Sequence, residues 1–123
     1  MAQGVSKHGV AELAYLGDGV FELLVRDMLV KAGVPFKDMS KQAKNYVSAI
    51  AQSAMYHKIY PLLPEAEQAI LKRGRNLHGH SRAKSACVAE YRHATGLEVL
   101  FGHYHTHGEF ERMKAIFDLC VTP

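Results

Sequence analysis

The chain has only two cysteines, Cys87 and Cys120, with neither metal-ligand spacing nor the count of a disulfide framework. Two reduced, buried thiols of a cytosolic protein are the expectation. No stretch approaches the ~18 consecutive apolar residues of a membrane-crossing helix. Met1 to Val10 carries no long apolar core of a secretory signal, so a cytoplasmic location without membrane contact is expected. Internal repeats and low-complexity tracts are missing. β-type alternation occurs only in His103-Tyr104-His105-Thr106-His107. No His-Asp dipeptide occurs, which argues against a histidine-based helical metal phosphohydrolase.

What the chain does have is helical periodicity. Its 123 residues, 48% of them apolar, suffice for a core and fit one domain, 1–123, since domains commonly run ~100–150 residues. Val10, Leu13, Ala14, Val20, Phe21, Leu24 and Met28 recur three or four apart and predict a first helix from about Val10 to Lys31. The Ala32-Gly33-Val34-Pro35 breaker ends it. Ser40 reads as the N-cap of a second helix that continues to Tyr60 and stops at Pro61. Pro64, followed by Glu65-Ala66-Glu67, opens a third that closes at Gly74. A loop to about Ser81 precedes a fourth helix, Arg82 to Tyr104. A last one follows Gly108 and turns Phe110, Met113, Ile116, Phe117 and Cys120 inward. Tyr46, Tyr56, Tyr60 and the phenylalanines read as core or interface rather than as base-stacking platforms.

Two of these helices carry an unusual pairing. Asp18 sits between Gly17 and Gly19, and eighty residues later Glu98 lies in an apolar run between Gly96 and Gly102. Glycine inside a helix costs about 1 kcal/mol against alanine, so something must approach the backbone closely there. A packed helix, a partner subunit or a ligand would each account for that approach, and an isolated solvated Asp is the bland alternative. The flanking glycines would let those helices come together.

The chain at this point resembles a known family. Leu13-Ala14-Tyr15-Leu16-Gly17-Asp18 is similar to the signature helix of ribonuclease III catalytic domains, and Gly96-Leu97-Glu98-Val99-Leu100-Phe101-Gly102 to their second acidic helix. Val47-Ser48-Ala49 with Gln52, Leu71-Lys72-Arg73-Gly74-Arg75-Asn76 and Tyr91-Arg92 narrow the resemblance to the Mini-III branch, which lacks a separate double-stranded-RNA-binding domain. The five blocks stand in family order over nearly the whole chain. The resemblance implies an all-α fold of about five to seven helices and an endonuclease of double-stranded RNA. It implies Mg2+ held by Asp18 and Glu98, with Mn2+ as a substitute, and products with 5′ phosphate and 3′ hydroxyl ends. It further implies a homodimer with Tyr15 at the interface, and maturation of the large-subunit (23S) ribosomal RNA precursor. Ribonuclease III proper has further acids where this chain has Ala14 and Thr95, and the Mini-III branch looks similar to this chain at both places. That motivates the alternative of a catalytically inactive double-stranded-RNA-binding relative. Glu22, one turn after Asp18, is either a support for the site or a surface acid.

The net charge of +3 is unevenly placed. From Lys72 to Arg92 stand Lys72, Arg73, Arg75, Arg82, Lys84 and Arg92 against one acid, Glu90. Guanidinium forks around a flexible Gly74, on or beside a loop, suit phosphate oxygens. Lys72, Arg73, Arg75, Asn76, Arg82 and Lys84 are therefore the candidate RNA contacts, and the His78-Gly79-His80 loop can reach sugar or base edges. His103 and His107 have a spacing that can bind a transition metal, but no acid or cysteine completes a site. A surface helix end is the expectation there.

Overall fold

The computed structural model describes residues 9–77 and 87–123. In chain order the elements are α1 (Val10–Lys31), α2 (Phe36–Val47), α3 (Ala49–Ile59), a 3₁₀ turn (Tyr60–Leu62), α4 (Glu65–Arg75), α5 (Val88–Thr106) and α6 (Phe110–Val121), with no strand among the described residues. The fold is all-α.

α5 is the axis around which the others pack. It meets α1 most extensively, then α4 and α3. Nine of its nineteen residues are buried, including Leu97, Leu100, Phe101 and Tyr104. Phe21 of α1, Phe101 of α5 and Phe117 of α6 meet edge to face, with centroids 5.2 Å apart for Phe21–Phe101 and 5.5 Å for Phe21–Phe117. This is the geometry that ring quadrupoles favour. A partly buried network ties α4, α5 and α6 together. Tyr104 Oη donates to Glu67 at 3.0 Å, and Arg112 grips the same carboxylate through two nitrogens.

The first helix has the bounds that periodicity predicts. Gly33, at φ 77°, ends it, and the Val34 amide bonds back to the Leu29 carbonyl at 3.1 Å. The expected second helix is two helices. At Ser48 the backbone turns extended (ψ 156°), and the Ser48 hydroxyl accepts the Ala51 amide at 3.1 Å to cap α3. The capping serine is Ser48, and Ser40 lies inside α2, which begins at Phe36. α4 continues through Gly74 to Arg75. α5 begins at Val88 within the described residues, and the expected start at Arg82 falls outside them. Cys87 caps it, its sulfur accepting the Glu90 amide while Glu90 bonds back to the Cys87 amide. Cys87 is thus an exposed helix cap and not a buried thiol, whereas Cys120 is buried. Met113, Ile116, Phe117 and Cys120 of α6 face inward as expected, but Phe110 is half exposed beside His105. At the first residue of α6 it lies beyond the reach of the core.

Candidate active site

Asp18 and Glu98 are brought together by backbone contact between α1 and α5. A Cβ built on Gly17 would overlap the Glu98 carbonyl oxygen, and one built on Gly102 would overlap the Leu13 carbonyl. Only glycine at both positions lets the two helices cross this closely, and the acids stand beside the crossing. The other glycines act differently. Gly96 approaches the Leu71 carbonyl and the Tyr56 ring, and nothing lies within 4 Å of a Cβ on Gly19.

Burial drives the Glu98 carboxyl up to about 8, and the Asp18 charge and the hydrogen bond that protonated Glu98 donates to Asp18 add to it. Asp18 is the more exposed of the two. Two carboxylates this close resist being charged together unless a proton or a cation lies between them. The pair therefore fits a divalent cation in kind: hard oxygen donors, two negative charges, and one open side toward solvent. Among the described residues no cluster of three or more metal-binding side chains occurs. Ala14 is buried against Leu13 and Val99, and Thr95, also buried, donates its hydroxyl to the Tyr91 carbonyl at 3.0 Å. Neither position brings a further charge.

Glu22 is ion-paired with Arg26 at 2.7 Å on the exposed next turn of α1, as a surface acid would be. Lys72 and Arg73 are exposed in the last turn of α4, and Arg75 is half buried, its Nε donating to Asn76 Oδ1 at 3.2 Å. Gly74 is not a flexible loop residue. It is buried in α4, with space for a Cβ closed at 2.7–2.8 Å by Val99 and the Gly96 backbone of α5. Arg82, Lys84 and the His78–His80 loop lie outside the described residues. Tyr15 stands on the outer face of α1, 86% exposed. His103 and His107 close α5, their rings 4.1 Å apart, with His107 Nδ1 on the His103 carbonyl.

The chain that carries this arrangement is similar to known proteins. Residues 11–109 fit the sequence profile of the ribonuclease III domain. The chain belongs to the ribonuclease III family. It is 44% identical over 105 residues to the Mini-ribonuclease 3 of Symbiobacterium thermophilum, covering 85% of this chain and 81% of that one. With the Mini-ribonuclease 3 of Thermoanaerobacter sp. strain X514 it shares 39% over 120 residues, 97% of this chain and 84% of the relative. A crystal structure of a Fusobacterium nucleatum protein superposes with a TM-score of 0.87 at 31% identity, covering 98% of both chains. Membership in this ribonuclease III family makes the protein an endoribonuclease.

Sequence reasoning missed one group of side chains here. Tyr56, His57 and His93 meet across α3 and α5, and no spacing along the chain announces a contact between residues 36 positions apart.

Proposed function

We propose that the protein is a magnesium-dependent endonuclease of double-stranded RNA, working as a homodimer with one Asp18–Glu98 pair per protomer. The observation that carries the reading is the close crossing of α1 and α5 at Gly17 and Gly102, which stands the two acids beside each other, with burial and Asp18 pushing the Glu98 carboxyl up to about 8. Asp18 and Glu98 would hold the cation, which supplies positive charge for the phosphate and makes water nucleophilic at neutral pH. To hold the cation Glu98 would have to release its proton, so uptake should release protons and strengthen with pH. Gly17 and Gly102 keep the two carboxylates at a fixed separation. Waters and the RNA phosphate complete the coordination that Ala14 and Thr95 do not supply. Mn2+ should substitute, and products should carry 5′ phosphate and 3′ hydroxyl ends.

The α1 surface favours a second copy as partner. Tyr15, Leu23 and Val30 lie along one stripe of the helix, 86%, 66% and 61% exposed. A groove of about 430 Å³ between α1 and α2, with Leu29, Val30, Phe36, Met39 and Val47 among its walls, continues that apolar surface. A two-fold pair presents one site to each strand of a duplex. Lys72, Arg73, Arg75 and Asn76, with Arg82 and Lys84, would meet RNA phosphates. Recognition by shape and charge suits A-form RNA, whose deep major groove hides its base edges. Residues 1–123 act as one catalytic domain in the cytoplasm, and the large-subunit (23S) ribosomal RNA precursor is the natural substrate on family resemblance. Incubating a long RNA duplex with the protein, with and without magnesium, and mapping the ends tests the reading. Duplex cleavage that proceeds without metal, or duplex bound but left intact with it, would overturn it. The second outcome would favour the inactive RNA-binding relative.

A further inference from the structure

On the flank of α5 away from α1, side chains from α3, α4 and α5 gather that chiefly donate hydrogen bonds. The His93 ring lies 4.6 Å from Tyr56 and 4.3 Å from His57, centroid to centroid. Tyr60 stacks on Tyr56 at 5.8 Å, and the Lys72 ammonium stands 5.7 Å from the centre of the Tyr60 ring. Arg75, the last residue of α4, reaches the same place, where its charge acts on both the Tyr56 hydroxyl and His93. Its Nε donates to Asn76 Oδ1 at 3.2 Å.

Two atoms of this cluster, Tyr56 Oη and His93 Nδ1, are buried and have no hydrogen-bond partner among the described residues. The Arg75 guanidinium beside the phenol and the Ala89 carbonyl one turn before His93 are close enough to act on these atoms, but neither reaches full hydrogen-bonding geometry. Buried polar atoms without partners are rare, and two in one cluster next to an arginine point to a missing partner. The charged and titratable groups that act on them are Arg75, Lys72, Tyr60 and His57, with no carboxylate among them. A guanidinium, an ammonium, two imidazoles and a phenol O–H call for an anion with several acceptor oxygens, which describes a phosphate.

We propose that Tyr56, His57, Arg75 and His93, with Lys72 at the rim, form a seat for one backbone phosphate of the RNA, separate from the Asp18–Glu98 pair. The proposal rests on reading the basic end of α4 as an RNA contact, and it names what stands behind Arg75. His93 precedes Glu98 by five residues, about 7.5 Å along α5 and about 140° around it. The phosphate in the seat is therefore not the one that is cut. Both orphaned atoms are covered in the free protein, so the phosphate enters with a shift of the side chains above them.

The test is a metal-free binding titration of an RNA duplex against the parent, Tyr56→Phe, His93→Gln, Arg73→Ala and Arg75→Ala, with thermal melting of each free protein. Tyr56→Phe keeps the ring and removes an unpartnered hydroxyl, so it should melt no lower than the parent. It should nevertheless bind duplex about tenfold to a hundredfold more weakly, since a hydrogen bond to a charged oxygen is lost. His93→Gln should weaken binding in the same direction, and if it fails to fold, Tyr56→Phe decides. Unchanged affinity of Tyr56→Phe and His93→Gln beside weakened Arg73→Ala and Arg75→Ala overturns the seat and leaves the α4 reading standing. Unchanged affinity in all four overturns both. Weaker binding that accompanies a lowered melting temperature in Tyr56→Phe gives the hydroxyl a structural role and overturns the seat.

Discussion

Glu98 is enclosed where Asp18 is open, and that difference governs how the metal-free protein responds to pH. The folded Glu98 carboxyl titrates at about 8, above its ordinary 4.5, chiefly because burial penalises its charge. A raised carboxyl favours folding fully below about 4.5, and this contribution is lost as pH climbs through about 8. Metal-free protein should lose melting temperature across that window. Glu98→Gln has no proton to lose, so its melting temperature should rise relative to the parent from pH 5 to pH 8.5. His93 and His103 are both held below the usual histidine range, first by burial, and pull stability the other way below neutrality. They are common to both proteins, so the difference between parent and variant isolates Glu98. A difference that stays flat with pH would show that Glu98 is not the protonated member of the pair. Added magnesium should raise the parent's melting temperature more at pH 8 than at pH 6, and should do little for Asp18→Asn.

Among elements, the α1–α5 crossing carries the most consequence. Gly17→Ala forces a methyl into the Glu98 carbonyl, where backbone rather than a pliable side chain stands in the way. Overpacking commonly costs ~1–3 kcal/mol, and this contact belongs at the upper end or beyond. The variant should melt well below the parent and cleave poorly, whereas Gly19→Ala, with nothing within 4 Å, should be tolerated. Equal melting of the two variants would refute the close crossing. Ser48→Ala should cost about 1 kcal/mol by removing the α3 cap, measured by denaturant unfolding. The crossing was legible in the sequence because glycine beside an acid contradicts local helix propensity. The break at Ser48 was not, because no Gly or Pro marks it and the apolar pattern runs on from Val47 to Ala49. Gly74 misled for the opposite reason. A glycine among arginines reads as a loop, yet it is buried by contact with Gly96 and Val99, which lie over twenty residues away. The Tyr56–His93 meeting is likewise a product of tertiary packing.

For the whole molecule, the exposed α1 stripe and the adjoining groove are the surface of the proposed dimer, which light scattering at micromolar concentration should detect. Tyr15→Lys or Leu23→Lys should shift the population toward monomer, and a parent that is monomeric throughout would remove the interface. RNA affinity should fall steeply with salt because phosphate contacts release counterions, and Arg73→Ala should shallow that slope by roughly one unit. The most direct test of the central claim compares the parent with Asp18→Asn on one long RNA duplex in magnesium, reading binding and cleavage from the same samples. The account predicts that Asp18→Asn folds and binds the duplex as the parent does while cleavage drops to background, because the amide removes the charge that holds the cation. Near-parental cleavage by Asp18→Asn would contradict it.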